Sequence, residues 1–249
     1  MPNAYKLVDI ENVIGGPLND WIRAAQGSVI EGGAGPDYLD FGAGNVVLSY
    51  ASSNAGVNVN TSVQSPYAQG GDAAGDYYAN LGSTTQSSLS ALIGSANADS
   101  LYVLASVVNE AEALWINVTG LGGADVFGAF SNANPDNSEV TITDFSLADG
   151  DRIDLRPQGV TSFSEGVTIA YAADTVMTIS TRLPRRDLQI VLQGFDSTPS
   201  AGDFIFSQAV SGTAIGNHTD EGFAGGPGDD VIEGGAGMTS SMAMAATTP

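Results

Sequence analysis

A nine-residue repeat constrains this chain more than any other feature. Gly32-Gly33-Ala34-Gly35-Pro36-Asp37-Tyr38-Leu39-Asp40 and Gly225-Gly226-Pro227-Gly228-Asp229-Asp230-Val231-Ile232-Glu233 both fit G-G-x-G-x-D-x-U-x, with U apolar. The first six residues make a turn that needs positive φ and close backbone approach, which glycine supplies without strain. The x-U-x triplet is a short strand whose central side chain points inward. In the N-terminal block the U positions are Ile22, Ile30, Leu39 and Leu48, spaced by 8, 9 and 9. Two such units complete one coil, and stacked coils make parallel sheets. Longer copies recur: Ile14-Gly15-Gly16-Pro17-Leu18-Asn19-Asp20-Trp21-Ile22 aligns with Ile93-Gly94-Ser95-Ala96-Asn97-Ala98-Asp99-Ser100-Leu101, and more weakly with Ile215–Phe223. The expected fold is all-β: a parallel β-roll or β-helix solenoid with Gly-rich turns, joined to a β-sandwich-like module.

Charge then selects the partner. Seven Lys and Arg against 28 Asp and Glu give a formal net charge of −21. Phosphate backbones are bound through Lys and Arg, so nucleic acid is nearly excluded, and so is docking on an anionic membrane surface. No apolar run is long enough to span a bilayer, so membrane insertion is not expected. Cysteine is absent, which removes disulfides, zinc thiolates and a cysteine nucleophile. His218 is the one histidine and Lys6 the one lysine; a multi-histidine zinc site and a P-loop are therefore out of reach. A hard cation is the natural partner.

The pattern divides the chain into three parts. Residues 1–138 read as a degenerate β-roll, interrupted at about 50–92 by a Ser/Asn/Gly/Thr-rich hairpin excursion. Strand is preferred over helix around Leu101–Val108, because β-branched residues cluster there. Residues 139–211 carry period-2 stretches such as Val140-Thr141-Ile142-Thr143 and Leu188-Gln189-Ile190-Val191-Leu192, a β-sandwich-like or roll-capping module. Residues 212–249 form a partial repeat block and tail. Because repeat units are cut at both ends, the chain reads as a fragment of something longer.

Ca2+ takes about 6–8 oxygen ligands, carboxylates and carbonyls. A G-G-x-G-x-D turn exposes carbonyls on one side and ends in a carboxylate, so two turns one coil apart can surround an ion. Asp20 and Asp37 lie 17 residues apart, close to one coil, which pairs the turn Gly15–Asp20 with Gly32, Gly33, Gly35 and Asp37. Leu18 replaces the third glycine of the first turn. Asp99 and Asp125 stand in partial motifs. Gly225, Gly228 and Asp230 form a full motif whose next turn lacks a carboxylate, and the residue one coil after Glu221 is Thr239. Asp149, Asp151 and Asp154 cluster as a carboxylate pair would in a glycosidase, but with 28 acids such clusters arise by chance. His218 reads as a surface residue. Trp21 and Trp115 read as outward strand positions partly covered by the hairpin, and Arg182, Arg185 and Arg186 as makers of internal ion pairs.

The nonapeptides resemble those of the haemolysin-type calcium-binding (RTX) repeat proteins. Gly122-Gly123-Ala124-Asp125-Val126-Phe127, Ile142-Thr143-Asp144-Phe145, Asp151-Arg152-Ile153-Asp154-Leu155 and Asp203-Phe204-Ile205-Phe206 resemble the C-terminal region of serralysin-type metalloproteases. The resemblance implies a non-enzymatic calcium-binding module of a secreted or surface-attached bacterial protein. Such a module folds on Ca2+ outside the cell and leaves by a one-step exporter without an N-terminal signal peptide. Two other expectations stand beside it: a structural adhesin or surface-layer subunit that self-associates through open β-roll ends, and a remnant of a polysaccharide-acting lyase or epimerase.

Overall fold

The computed structural model describes residues 11–41, 44–61, 67–81, 89–105, 115–131, 138–162, 167–171, 175–180, 187–195, 197, 199–207, 213–215, 221–224, 231–233 and 239–242. It divides into two compact units, Met1–Phe206 and Ser207–Pro249. The protein is all-β, with predominantly parallel sheets and, among the described residues, only three single-turn 3-10 helices.

In the larger unit the chain passes back and forth between two sets of strands. One set contains β1 (Asn12–Ile14), β3 (Val29–Glu31), β5 (Val46–Ser49), β9 (Leu89–Ile93), β11 (Trp115–Thr119), β13 (Ser138–Ile142) and β17 (Asp187–Leu192), parallel neighbours in one sheet. The same sheet is extended antiparallel by β16 (Thr175–Ser180) and β15 (Val167–Tyr171). The intervening strands make two further sheets. β2 (Trp21–Arg23), β4 (Tyr38–Asp40) and β8 (Tyr77–Ala79) form a parallel trio. β6 (Asn58–Asn60), β10 (Ser100–Ala105), β12 (Val126–Ser131), β14 (Arg152–Asp154) and β18 (Phe204–Ile205) are parallel, with β7 (Tyr67–Gln69) antiparallel at the edge beside β6.

Register follows the repeat. Trp21 pairs with Tyr38, 17 residues on, and Val29 with Val47, 18 on. Later the step lengthens to 26, as Ser100 pairs with Val126 and Val126 with Arg152. The added residues lie between strands, where length changes disturb no ladder. The expected excursion at 50–92 contains a β6–β7 hairpin, yet β6 and β8 each join a parallel neighbour, so this segment is built into the sheets. Residues 139–206 supply β13 and β17 to one sheet and β14 and β18 to another. Leu101–Ala105 is strand, as its β-branched content favours; residues 106–114 lie outside the described residues.

The core is the row of U positions. Ile30, Leu39 and Leu48 are fully buried and Ile22 nearly so; Leu92, Leu101, Val118, Phe127, Ile142, Ile153 and Phe204 continue the row. Each buried aliphatic side chain contributes roughly 1.5–3 kcal/mol. A polar pocket interrupts this apolar column: Tyr50, fully buried, donates its hydroxyl to Asp76 Oδ2 at 2.7 Å and lies 2.6 Å from the Tyr78 hydroxyl.

In the smaller unit β19 (Thr213–Ile215) pairs in parallel with β21 (Val231–Glu233), and β20 (Glu221–Ala224) with β22 (Thr239–Met242). Glu221 is in register with Thr239, as the repeat spacing predicts.

Candidate functional site

The strands carry the turns of the repeat into register, and the aspartates at their sixth positions form two columns. In the first, Asp20 N–H donates to Asp37 Oδ1 at 2.7 Å, and Asp37 N–H donates to Asp76 Oδ1 at 2.9 Å. In the second, Asp99 N–H donates to Asp125 Oδ1 at 2.8 Å, and Asp125 N–H donates to Asp151 Oδ1 at 2.9 Å. Each rung thus holds its neighbour's backbone through a carboxylate. The columns are the structural form of the long sequence repeat. In the first rung of each, the amide at the second turn position closes on the same carboxylate: Gly16 N–H to Asp20 Oδ2 and Ser95 N–H to Asp99 Oδ2, both at 2.6 Å.

Glycine at the first turn position is required by this packing. A Cβ on Gly32, Gly94 or Gly120 would fall on Oδ2 of Asp37, Asp99 or Asp125 respectively. The middle rungs differ from the first in backbone. Gly33 has φ +84° and Gly35 +117°; the matching residues of the other column, Leu121 and Gly123, have +75° and +116°. The second-position amide of the first rung has no counterpart on Asp37: its Oδ2 is buried and has no hydrogen-bond partner. In the other column the Gly120 and Leu121 amides go instead to Asp144, at 2.9 and 2.7 Å.

Asp37, Asp76, Asp99, Asp125 and Asp151 are all at least 95% buried. Burial pushes the Asp37 carboxyl up to about 6, against the hydrogen bond from Asp20 N–H, and the charges of Asp76, Asp20 and Asp72 add to the rise. Burial likewise takes Asp125 to about 7, with Asp151, Asp99 and Asp144 adding. Asp76 rises to about 6, and Asp99 and Asp151 also rise, chiefly by burial. Stacked, dehydrated like charges favour a bound proton or a bound cation.

The expected residues therefore come together in part. Gly15, Asp20, Gly32, Gly33, Gly35 and Asp37 share one stack of turns, with the Gly15 and Gly16 carbonyl oxygens against Gly33. Asp99 and Asp125 are adjacent rungs of the second. Gly225, Gly228 and Asp230 lie outside the described residues, as do His218 and the arginines at 182, 185 and 186. Asp76 and Asp151 were not among the expected ligands. Asp76 has the signal of a glycine five positions earlier, Gly71, without the remaining motif glycines, and Asp151 has Ser146 in that place. Asp154 is drawn off to Arg156, at 2.6 Å, and to the Tyr102 hydroxyl, also at 2.6 Å.

The orphaned Asp37 Oδ2 fits a hard cation, because it is a buried anionic oxygen with no donor of its own. Asp37 and Asp20, with main-chain carbonyls of the turn Gly15–Asp20, would hold Ca2+, and its charge would neutralise the column. Among the described residues no three His, Cys, Asp or Glu side chains converge as a metal cluster, so carbonyl oxygens would have to supply much of any coordination. Trp21 and Trp115 are uncovered, 65% and 70% exposed. Trp21, Tyr38 and Tyr77 stand in register on neighbouring strands, ring centroids 6.2 and 5.3 Å apart.

No family model matches the chain, and no curated protein matches it.

Proposed function

We propose that this protein is a non-enzymatic calcium-binding module. In this reading its alternating strands form a parallel β-roll, a solenoid whose stacked Gly-Asp turns are stabilised by Ca2+. One observation carries the proposal: the buried, partnerless Asp37 Oδ2 within a column of aspartates that burial and mutual repulsion leave short of positive charge. Arg23 and Arg156 pair with Asp40 and Asp154 respectively, so these cations are engaged outside the columns.

The mechanism is metal-coupled folding. Ordering Gly-rich turns costs more backbone entropy than ordering other residues, and stacking carboxylates adds repulsion. A cation bound to the folded state alone lowers both costs and shifts the equilibrium by mass action. Extracellular modules bind Ca2+ at about 10⁻⁴–10⁻³ M, which would keep the coils labile in a low-calcium cytoplasm and firm outside. Secretion or surface attachment, by the one-step route that the family resemblance implies, belongs to the same proposal.

Isothermal calorimetry and far-UV circular dichroism during a Ca2+ titration of metal-free protein provide the test. Saturable binding with a gain of β-signal, reversed by chelator and not reproduced by Mg2+, is the expected result. A protein whose spectrum and melting temperature ignore both Ca2+ and chelator would overturn the reading.

A further inference from the structure

The first described coil joins exposed apolar side chains to strand edges. Ile14, Leu18 and Trp21 are 68%, 74% and 65% exposed, three large apolar side chains within eight residues. Among the described residues both of its strands are sheet edges: β1 ends the nine-stranded sheet and β2 ends the three-stranded one. Their hydrogen bonding is one-sided. Glu11 O accepts from Val29 N–H, and Gly15 N–H donates to Glu31 O, so Asn12 and Ile14 turn their peptide groups away from β3. Asp20 O accepts from Tyr38 N–H, and Ala24 N–H donates to Asp40 O, so Trp21 and Arg23 turn theirs away from β4. An edge of this kind is a template for another strand.

The chain itself carries the matching piece. In the smaller unit Thr213 pairs with Val231 and Glu221 with Thr239, each 18 residues on and parallel, the same step that joins Val29 to Val47. Strand β21 is followed by Gly234-Gly235 and then β22, just as β1 is followed by Gly15-Gly16 and then β2. Among the described residues both β21 and β22 are edges of their two-stranded sheets. In this alignment Thr239 falls at the position of Asp20. A coil added there brings no further carboxylate to a column already crowded with charge.

We propose that β21 and β22 of a second copy dock in parallel onto β1 and β2, joining molecules head to tail. The contact pairs two edges at once and sets the added coil beside Ile14, Leu18 and Trp21. It is heterologous, so each added copy brings a fresh edge. The proposal rests on the repeating-coil reading above. A calcium response retained without association would remove this inference alone.

The test uses full-length protein and sedimentation equilibrium across a concentration series, with Ca2+ present. Wild type is expected to exceed its monomer mass of 25.3 kDa increasingly with concentration. A head-blocked variant, Ile14→Asp with Leu18→Asp, and a tail-blocked variant, Ser241→Pro, which removes the amide aligned with that of Ile22 and so facing the added coil, should each remain monomeric. Their equimolar mixture should double in mass and go no further, because each contributes one competent end. Circular dichroism checks that each variant is folded, and Leu18→Asp alone replaces the head variant should Ile14→Asp unfold it. Wild type that stays monomeric throughout, as capping by the chain's own residues would give, overturns the proposal. So does a folded head-blocked variant that still associates, or a mixture of folded variants that stays monomeric.

Discussion

Asp37 and Asp20 occupy successive rungs of one column, yet their second oxygens meet different fates. Asp20 Oδ2 receives the Gly16 amide, whereas the left-handed φ of Gly33 accompanies an Asp37 Oδ2 left with no donor. Asp37→Asn keeps an acceptor for Asp20 N–H while removing the charge. This variant should stay folded and lose at least tenfold in calcium affinity by calorimetry. Asp37→Ala also strands a part-buried amide, which costs about 1–3 kcal/mol, so urea unfolding should separate the two; equal stabilities would mean that the Asp20 hydrogen bond contributes nothing. The raised carboxyls set a pH dependence as well. Groups whose folded values lie near 6 and 7, above an unfolded value of about 3.9, bind protons more tightly in the folded state. Their stabilisation is complete below about pH 4 and is lost as pH climbs through 6 to 7. Metal-free protein should therefore melt higher at pH 5.5 than at pH 8, and Ca2+ should raise the melting temperature far more at pH 8. The reverse order would show that the columns carry no buried charge in the native state.

The turn and the strand after it form one element, held by glycine at the first position and aspartate at the sixth. A Cβ at position 32 or 120 would collide with the carboxylate of its own turn, so Gly32→Ala and Gly120→Ala should each cost several kcal/mol in chemical unfolding. Gly122 has open space around its Cβ position and no positive φ. There the same change should be neutral or stabilise by about 0.4–1 kcal/mol, through a less flexible unfolded chain. Equal losses at all three sites would mean that turn packing does not depend on the aspartate. At this scale the sequence was legible where glycine and aspartate occurred together. It was not where one partner was replaced: Asp151 completes a column although Ser146 stands where the glycine belongs, and there it is the first-position amide, Ser146 N–H, that reaches Asp151 Oδ2, at 2.8 Å. A backbone amide serves whatever the side chain, so residue identity alone hides such a rung.

For the molecule as a whole, calcium dependence should be partial. Strands β13 and β17 are tied by ordinary alternating side chains, with Val140, Ile142, Leu188, Ile190 and Leu192 buried, and β15–β16–β17 pair antiparallel. Chelator should abolish amide protection in the turns around Asp20 and Asp37 while leaving the β13 and β17 amides protected in hydrogen exchange. Uniform loss throughout would show a single cooperative unit.

The sequence by itself determined the all-β class, the inward row from Ile22 to Leu48, and the register that sets Asp20 beside Asp37. All three follow from a fixed period of eight or nine residues and from the demands of a tight turn. Only the tertiary structure decided that Asp99, Asp125 and Asp151 form a second column, because insertions stretch the step from 17 to 26 residues and erase the period. Tertiary contact alone also brought Asp76 onto Asp37 from 39 residues away. Periodicity is a property of adjacent residues and survives in the letters. Contacts across a variable loop depend on how the sheets close around a shared core, and no local spacing records them.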